Sequence, residues 1–258
     1  MIDLAKQRSA ETGRTVGIYP ETKHPSYFQA AGLPLEQRLV DTLRANGLDR
    51  ADAPVFIQSF EVANLKQLNG LTNVPLVQLL DANGVRPDGT LDFNQPYDFV
   101  LANDPRTYGD LLTEAGLAEV RTYADGLGPW KRMIVPAVAA GAAPDDIPGS
   151  TDSDTRILPP TTLIDDAHRA GLLVHPYTFR SEALFLAQGY GGDPAAEYRQ
   201  FYALGVDGVF SDNPDVAVRA LTDAVAVPEP GTLGVLAAGL IGLSASRGRG
   251  RDAGRARP

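Results

Sequence analysis

The stretch VFIQSFEVANLKQLNGLTNVPLVQLL, residues 55–80, decides how this chain folds. It opens on a strand-type apolar run, VFIQSF, passes through EVANLKQLNG with the pattern of a short helix, and closes on a second run, PLVQLL. Two such runs joined by a helix predict parallel strands with a right-handed crossover, because a hairpin turn is too short to hold a helix. Gln58, Ser59 and Gln78 fall where these strands finish.

The same alternation extends in both directions. Upstream, TVGIYP predicts a first strand, and Leu35, Leu39 and Leu43 recur every four residues in a helix from about Leu35 to Asn46. Gly47 stands where a C-capping glycine belongs. Downstream, a loop rich in Asp, Asn, Pro and Gly runs from Asp81 to about Tyr108. A helix over 109–122 then leads into YADGLGP, and 136–158 reads as a surface insertion. Residues 159–170 have a helical pattern with Thr161 or Thr162 as N-cap. The strand LLVHPY, a helix around 195–204, the strand VDGVF and a helix over 214–224 complete six β-then-α units. Glu21, Lys23, Gln58, Ser59, Gln78, His175, Tyr177, Ser211 and Asp212 all lie at strand ends, which in a barrel open onto one face. A doubly wound sheet would place its ligand at one switch point, often beside a glycine-rich phosphate loop, and no strand here is followed by one. The expectation is an α/β fold: a TIM-type (β/α) barrel with about six of its eight units, plus a C-terminal apolar tail.

Charge and composition narrow the function. The net charge is −9, while the segment after Ser246 carries five arginines against one aspartate, so the body is more acidic than the total. An acidic body excludes a nucleic-acid groove, which needs a basic face. The absence of cysteine removes disulfides, thiolate metal sites and cysteine nucleophiles. The opening MIDLAKQRSAETGRTVGIYP has no apolar core of a signal peptide, and the expectation is that these residues hold no separate N-terminal domain.

Within GIYPETKHP, Glu21 and Lys23 stand two residues apart just past a strand, so both can face one pocket. A carboxylate that holds a divalent cation and a lysine that neutralises a phosphate oxygen suit phosphodiester hydrolysis, although a surface turn carries the same pair. His168, in IDDAHRAG, reads as a solvent-facing helix residue, and His24 as a rim residue.

Five segments in order, GIYPETKHPSYF, VFIQSFEVANLKQLN, YADGLGPWK, LLVHPYTFR and GVFSDNPDVAV, resemble the later half of the glycerophosphodiester phosphodiesterase family, closest to its exported subgroup. The resemblance implies that Glu21 is a metal-binding carboxylate and Lys23 a phosphate-contacting lysine. It implies that Gln58, His175, Tyr177 and Arg180 line the substrate pocket, and that Asp212 belongs to a structural Asp-x-Pro motif. It also implies a divalent cofactor, calcium favoured and magnesium possible, and a glycerophosphodiester substrate cleaved to an alcohol and glycerol 3-phosphate. Relatives begin with a His-Arg-Gly motif, a Glu-x-Asp metal pair and a second histidine. Neither histidine motif is present here, so no catalytic residue is assigned. The expectation is that the chain lacks its first two βα units and is inactive alone. The alternative is a non-catalytic, envelope-anchored remnant that binds a phosphate ligand. A sugar hydrolase would need two acids across the pocket, and Glu21 alone is well placed.

The end of the chain has its own pattern. Residues 1–226 form the expected barrel domain and 227–258 a tail, in which a Val-Pro-Glu-Pro motif precedes an apolar run, 231–246, and an arginine cluster. The run is short for a stable span, and arginines beyond it follow the positive-inside rule. The tail resembles the PEP-CTERM sorting signal. That implies export to the bacterial envelope or beyond, transient membrane anchoring by 231–246, and an exosortase-type processing partner.

Overall fold

The computed structural model describes residues 1–141 and 152–226. Its centre is a parallel sheet of β1 (Ile57–Ser59), β2 (Leu76–Leu80), β5 (Gly126–Pro129) and β8 (Leu173–Val174), in that spatial order. Single parallel bridges, Ile18 with Val55, Glu21 with Gln58, and Phe179 with Ser211, add a strand position at each side. Six parallel positions therefore follow one another in chain order, as the alternation predicts. Gly17 is required at the first: a Cβ there would lie 2.6 Å from the Pro54 carbonyl oxygen of the neighbouring strand.

Helices cover the outer face. α1 (Ile2–Thr12) precedes the first strand position, and α2 (Pro25–Ala30) and α3 (Glu36–Ala45) follow it. α4 (Val62–Asn69) connects β1 to β2. The segment between β2 and β5 holds an antiparallel pair, β3 (Gly84–Val85) with β4 (Leu91–Asp92), then α5 (Tyr97–Ala102), α6 (Tyr108–Leu111) and α7 (Glu114–Val120). Between β5 and β8 lie the antiparallel pair β6 (Ala137–Ala139) and β7 (Thr155–Ile157), and then α8 (Leu163–Arg169). α9 (Pro194–Ala203) and α10 (Pro214–Ala226) close the described domain.

Several expectations are refined. The helix expected over 109–122 is two helices, because Thr113 caps a new start by accepting from the Gly116 amide. The insertion over 136–158 contains the β6–β7 ribbon. Thr162 is the N-cap residue of α8, and its hydroxyl bonds Asp166 instead of a backbone amide. Gly47 ends the third helix at φ 71°, the left-handed conformation expected of it. α1 was not foreseen: IDLAKQRSAET has few apolar residues, and no residue of that helix is buried.

The buried core lies between the sheet and its helices, and half-buried aromatic rings cover the sheet's other face. Leu65, Leu68, Leu76, Leu80, Leu111 and Leu117 are buried between sheet and helices. The sheet's concave face carries aromatic rings: Tyr19 lies 5.2 Å from Phe56 and 4.8 Å from Phe210, ring centre to ring centre. The first and sixth strand positions thus touch through side chains. Strand alternation also sorts the polar strand-end residues. Gln58 is opposite Val77 in register, and Ser59 is opposite Gln78. Gln78 and Ser211 turn outward, accepting from Tyr123 and pairing with Tyr198 respectively, so these two do not belong to the inner face. The tail, 227–258, lies outside the described residues.

Candidate active site

The polypeptide after the first strand position is pinned from two sides. Thr22 is buried and donates to Asn64 of α4 at 2.6 Å, and Asn64 donates to the buried Glu36 of α3 at 2.6 Å. Ser26 donates both its hydroxyl and its amide to Glu61 at the start of α4. Around these anchors Glu21, Lys23 and His24 are presented at the C-terminal end of the sheet, where they line a cavity of about 400 Å³. Phe60, Glu61, Asp81, Asn94, Tyr97 and Tyr108 complete its wall. A second lobe of about 280 Å³ shares Asp81 and is lined by Trp130, Lys131, Asp152, Tyr177, Arg180 and Phe185.

The residues singled out by sequence are therefore distributed over one mouth, at different depths. Glu21 and Lys23 line the larger lobe. Lys23 is exposed and forms no hydrogen bond or ion pair with the described residues. Gln58 is bridge-paired with Glu21, so both side chains share the inner face, and Gln58 is buried and does not line the cavity. Tyr177 and Arg180 line the smaller lobe. Tyr177 donates to the Leu80 carbonyl at 2.8 Å, and its phenol is held protonated by burial with Asp81 beside it. Arg180 pairs with Asp212 at 3.0 Å and stacks 4.4 Å over Phe185, which gives Asp212 a structural part. His175 lies deeper, among the aromatic rings. Its Nδ1 is 2.9 Å from the Tyr19 hydroxyl, and burial lowers its pKa, which favours the neutral imidazole. It lines neither lobe. His168 is on the outside, paired with Asp207 at 2.9 Å.

Unpaired oxygens concentrate here. Glu21 Oε1, Gln58 Oε1, Glu61 Oε1, Asn94 Oδ1 and Asp98 Oδ1 are buried without a hydrogen-bond partner. Burial raises the pKa of Glu61, Asp81 and Asp98, and Asp98 raises that of Glu61 further. Two of the orphans, Glu21 and Gln58, are neighbours in register and could offer two oxygens to a hard cation. Calcium takes six to eight such ligands and magnesium six, so these two make part of a cage. Among the described residues no three His, Asp or Glu side chains converge on one ion position.

Glu61, Asp81, Asn94, Tyr97 and Tyr108 escaped the sequence reading. Asp81 directly follows the strand run PLVQLL, so the strand-end rule that singled out Glu21 applied equally to it. Asn94, Tyr97 and Tyr108 reach the mouth from the 81–108 segment, and no local pattern marks them.

Comparison with known proteins gives a consistent placement. The profile of the glycerophosphoryl diester phosphodiesterase family matches residues 2–216, and the PEP-CTERM protein-sorting motif matches residues 226–249. The chain is 33% identical over 213 residues to glycerophosphodiester phosphodiesterase GDPD6 of Arabidopsis thaliana, covering 77% of this chain and 49% of that protein. It is 29% identical over 231 residues to a glycerophosphodiester phosphodiesterase of Haemophilus influenzae, covering 85% of this chain and 56% of the other. It spans about half the length of these relatives. A solved structure from Silicibacter pomeroyi, provisionally assigned as a glycerophosphoryl diester phosphodiesterase, superposes with a TM-score of 0.50 at 17% identity. The superposition covers 86% of this chain and 55% of that one, and supports the α/β-barrel fold. By the profile match across nearly all of its described residues, the chain belongs to the glycerophosphoryl diester phosphodiesterase family.

Proposed function

We propose that the two-lobed mouth binds a glycerophosphodiester, and that the protein belongs to a metal-dependent hydrolysis yielding an alcohol and glycerol 3-phosphate. The observation that carries this reading is that Glu21 and Lys23 line the same cavity, with Gln58 bridge-paired to Glu21 on the neighbouring strand. Lys23 neutralises a phosphate oxygen. Glu21 contributes one carboxylate to a divalent cation, calcium favoured and magnesium the alternative, with the unpartnered Gln58 Oε1 as a second oxygen. A cation there would neutralise phosphate charge. Tyr177 and Arg180 bound the second lobe, where they face one end of the diester. His175 acts through Tyr19, holding the floor of the barrel.

The second reading is a binding remnant without turnover. It is favoured by the histidines: His168 is outside, His175 is sealed in the core, and His24 alone rims the cavity. General acid–base groups contribute about 10² to 10⁴ each in rate, so the chain alone should turn over negligibly. The PEP-CTERM match supports export to the bacterial envelope, with an exosortase as processing partner and transient anchoring by 231–246. Among the described residues no helix is long and apolar enough to cross a membrane.

The test combines calorimetry with an enzyme-coupled assay for glycerol 3-phosphate, using the full chain, glycerophosphocholine and calcium. Calcium-dependent binding with negligible product is expected, and Glu21→Ala should remove the calcium dependence. Rapid hydrolysis that survives chelation would refute this assignment of roles.

A further inference from the structure

The direction of the last helix limits how the domain can face a membrane that holds the tail. α10 begins at the mouth: Asp212, two residues before it, pairs with Arg180 of the smaller lobe. The helix then lies along the body, since Ala217 and Ala220 are buried and the Tyr202 hydroxyl of α9 donates to the Ala217 carbonyl at 3.0 Å. Its 13 residues carry the chain about 20 Å back along the outside of the barrel, against the direction of the preceding strand. α10 therefore ends beside the N-terminal ends of the strands, opposite the cavity.

Residues 227–230, Val-Pro-Glu-Pro, separate Ala226 from the apolar run 231–246. Even fully extended, the five steps from 226 to 231 span about 17 Å. Crossing the headgroup layer uses roughly 6 Å of that before the apolar run enters hydrocarbon. To bring the mouth to the bilayer, the remainder would have to climb the whole height of the barrel, about 20 Å along α10. It is too short.

α1 occupies the end of the barrel that this tether does reach. Lys6 donates to Asn46 at the C-terminal end of α3, and Ile2, Ala5 and Ser9 line a hollow with Val16, Ile18 and Pro54, where the first two strand positions begin. Met1 and Leu4 of this end are 87% and 55% exposed. Around them Lys6, Arg8 and Arg14 outnumber Asp3 and Glu11, in a body that is otherwise acidic. Exposed apolar side chains among cations suit an anionic lipid surface.

From this we infer that, while the tail is anchored, the end of the barrel carrying α1 rests on an anionic bilayer and the mouth opens away from it into water. The inference rests on the reading of 231–246 as a membrane anchor. A ligand then reaches the cavity from solution, not from the lipid on which the protein sits.

The test uses the absence of cysteine from the chain, which lets one fluorescent label be placed at a time. The full chain is reconstituted with vesicles of phosphatidylcholine and phosphatidylglycerol that carry a headgroup spin label as short-range quencher. Leu4→Cys and Ala51→Cys, the latter just before Pro54, report the α1 end. Tyr27→Cys, beside the cavity-lining Pro25, and Leu184→Cys, beside Phe185, report the mouth. All four positions are exposed, and two at each end keep the comparison valid if one variant fails to fold. The chain should float with the vesicles and lose fluorescence at positions 4 and 51 alone. Quenching at positions 27 and 184, or equal quenching at all four, would overturn the orientation and leave the anchor standing. A chain that does not float with the vesicles would refute the anchor and the inference together.

Discussion

Two buried charged regions of this protein share a border and follow opposite rules. At the base of the smaller lobe, Lys131 and Arg132 meet Asp152 and Glu197 at distances of 2.8 to 3.4 Å, and three of the four are almost fully buried. Two positive and two negative charges balance there. A few residues away, across Asp81, the larger lobe holds carboxylates and amides whose oxygens have no partners. The first arrangement ties the β5 end to α9 and the β6–β7 ribbon. The second leaves electrostatic energy unspent until something enters. Burial alone therefore does not mark a functional site; burial without compensation does.

The contrast breaks most visibly in stability. Arg132→Met removes one cation of the balanced cluster and leaves Lys131 alone against the two carboxylates of Asp152 and Glu197, so unfolding in urea should show a loss of about 3 to 5 kcal/mol. Glu61→Gln in the other region should change stability by about 1 kcal/mol or less, since the amide oxygen can still accept from Ser26 while a buried charge with one unpartnered oxygen is removed. If the two losses are equal, the distinction between the regions fails.

Acidification sharpens it further. Burial raises the Asp152 pKa, but the Arg132 and Lys131 charges outweigh that and hold it below the ordinary range. Its contribution to stability is therefore present above its unfolded pKa and fades as pH falls toward the folded one. Glu61, Asp81 and Asp98 are shifted the other way by burial, so the folded state binds protons more tightly than the unfolded state. Their contribution is present below the ordinary carboxylate range and is lost as pH rises through their raised values. Urea unfolding measured from about pH 4 to about pH 8 should show a falling limb that flattens in Glu61→Gln. A limb unchanged by that substitution would remove Glu61 as its source.

The smallest expected effect concerns the tail. Deleting residues 227–258 should leave the unfolding midpoint of the domain unchanged, because Pro228 and Pro230 follow α10 directly in sequence and proline disfavours continuation of a helix. A clear drop in the midpoint would make the tail structural and defeat its reading as a sorting signal.

Much of the fold was legible because strand and helix periods are local. The runs at 15–20, 55–60, 75–80, 123–129, 172–177 and 206–210 each announce a strand by apolar content, and their order implies parallel pairing. Glu21 and Lys23 were legible for the same reason, since the end of a barrel strand faces the mouth. α1 was not, because a helix that buries no side chain has no apolar stripe to read.

What the sequence alone determined is the alternation, the family motifs and the tail's three-part pattern, all of which depend on neighbours along the chain. Tertiary structure alone decided which strand-end residue faces inward: Gln58 does and Gln78 does not, through the register of β1 against β2. It also buried His175 against Tyr19 and brought Asn94, Tyr97 and Tyr108 to the cavity that Glu21 lines. Depth and partnership depend on residues distant in sequence that pack together, and a single residue's neighbours along the chain carry no record of them.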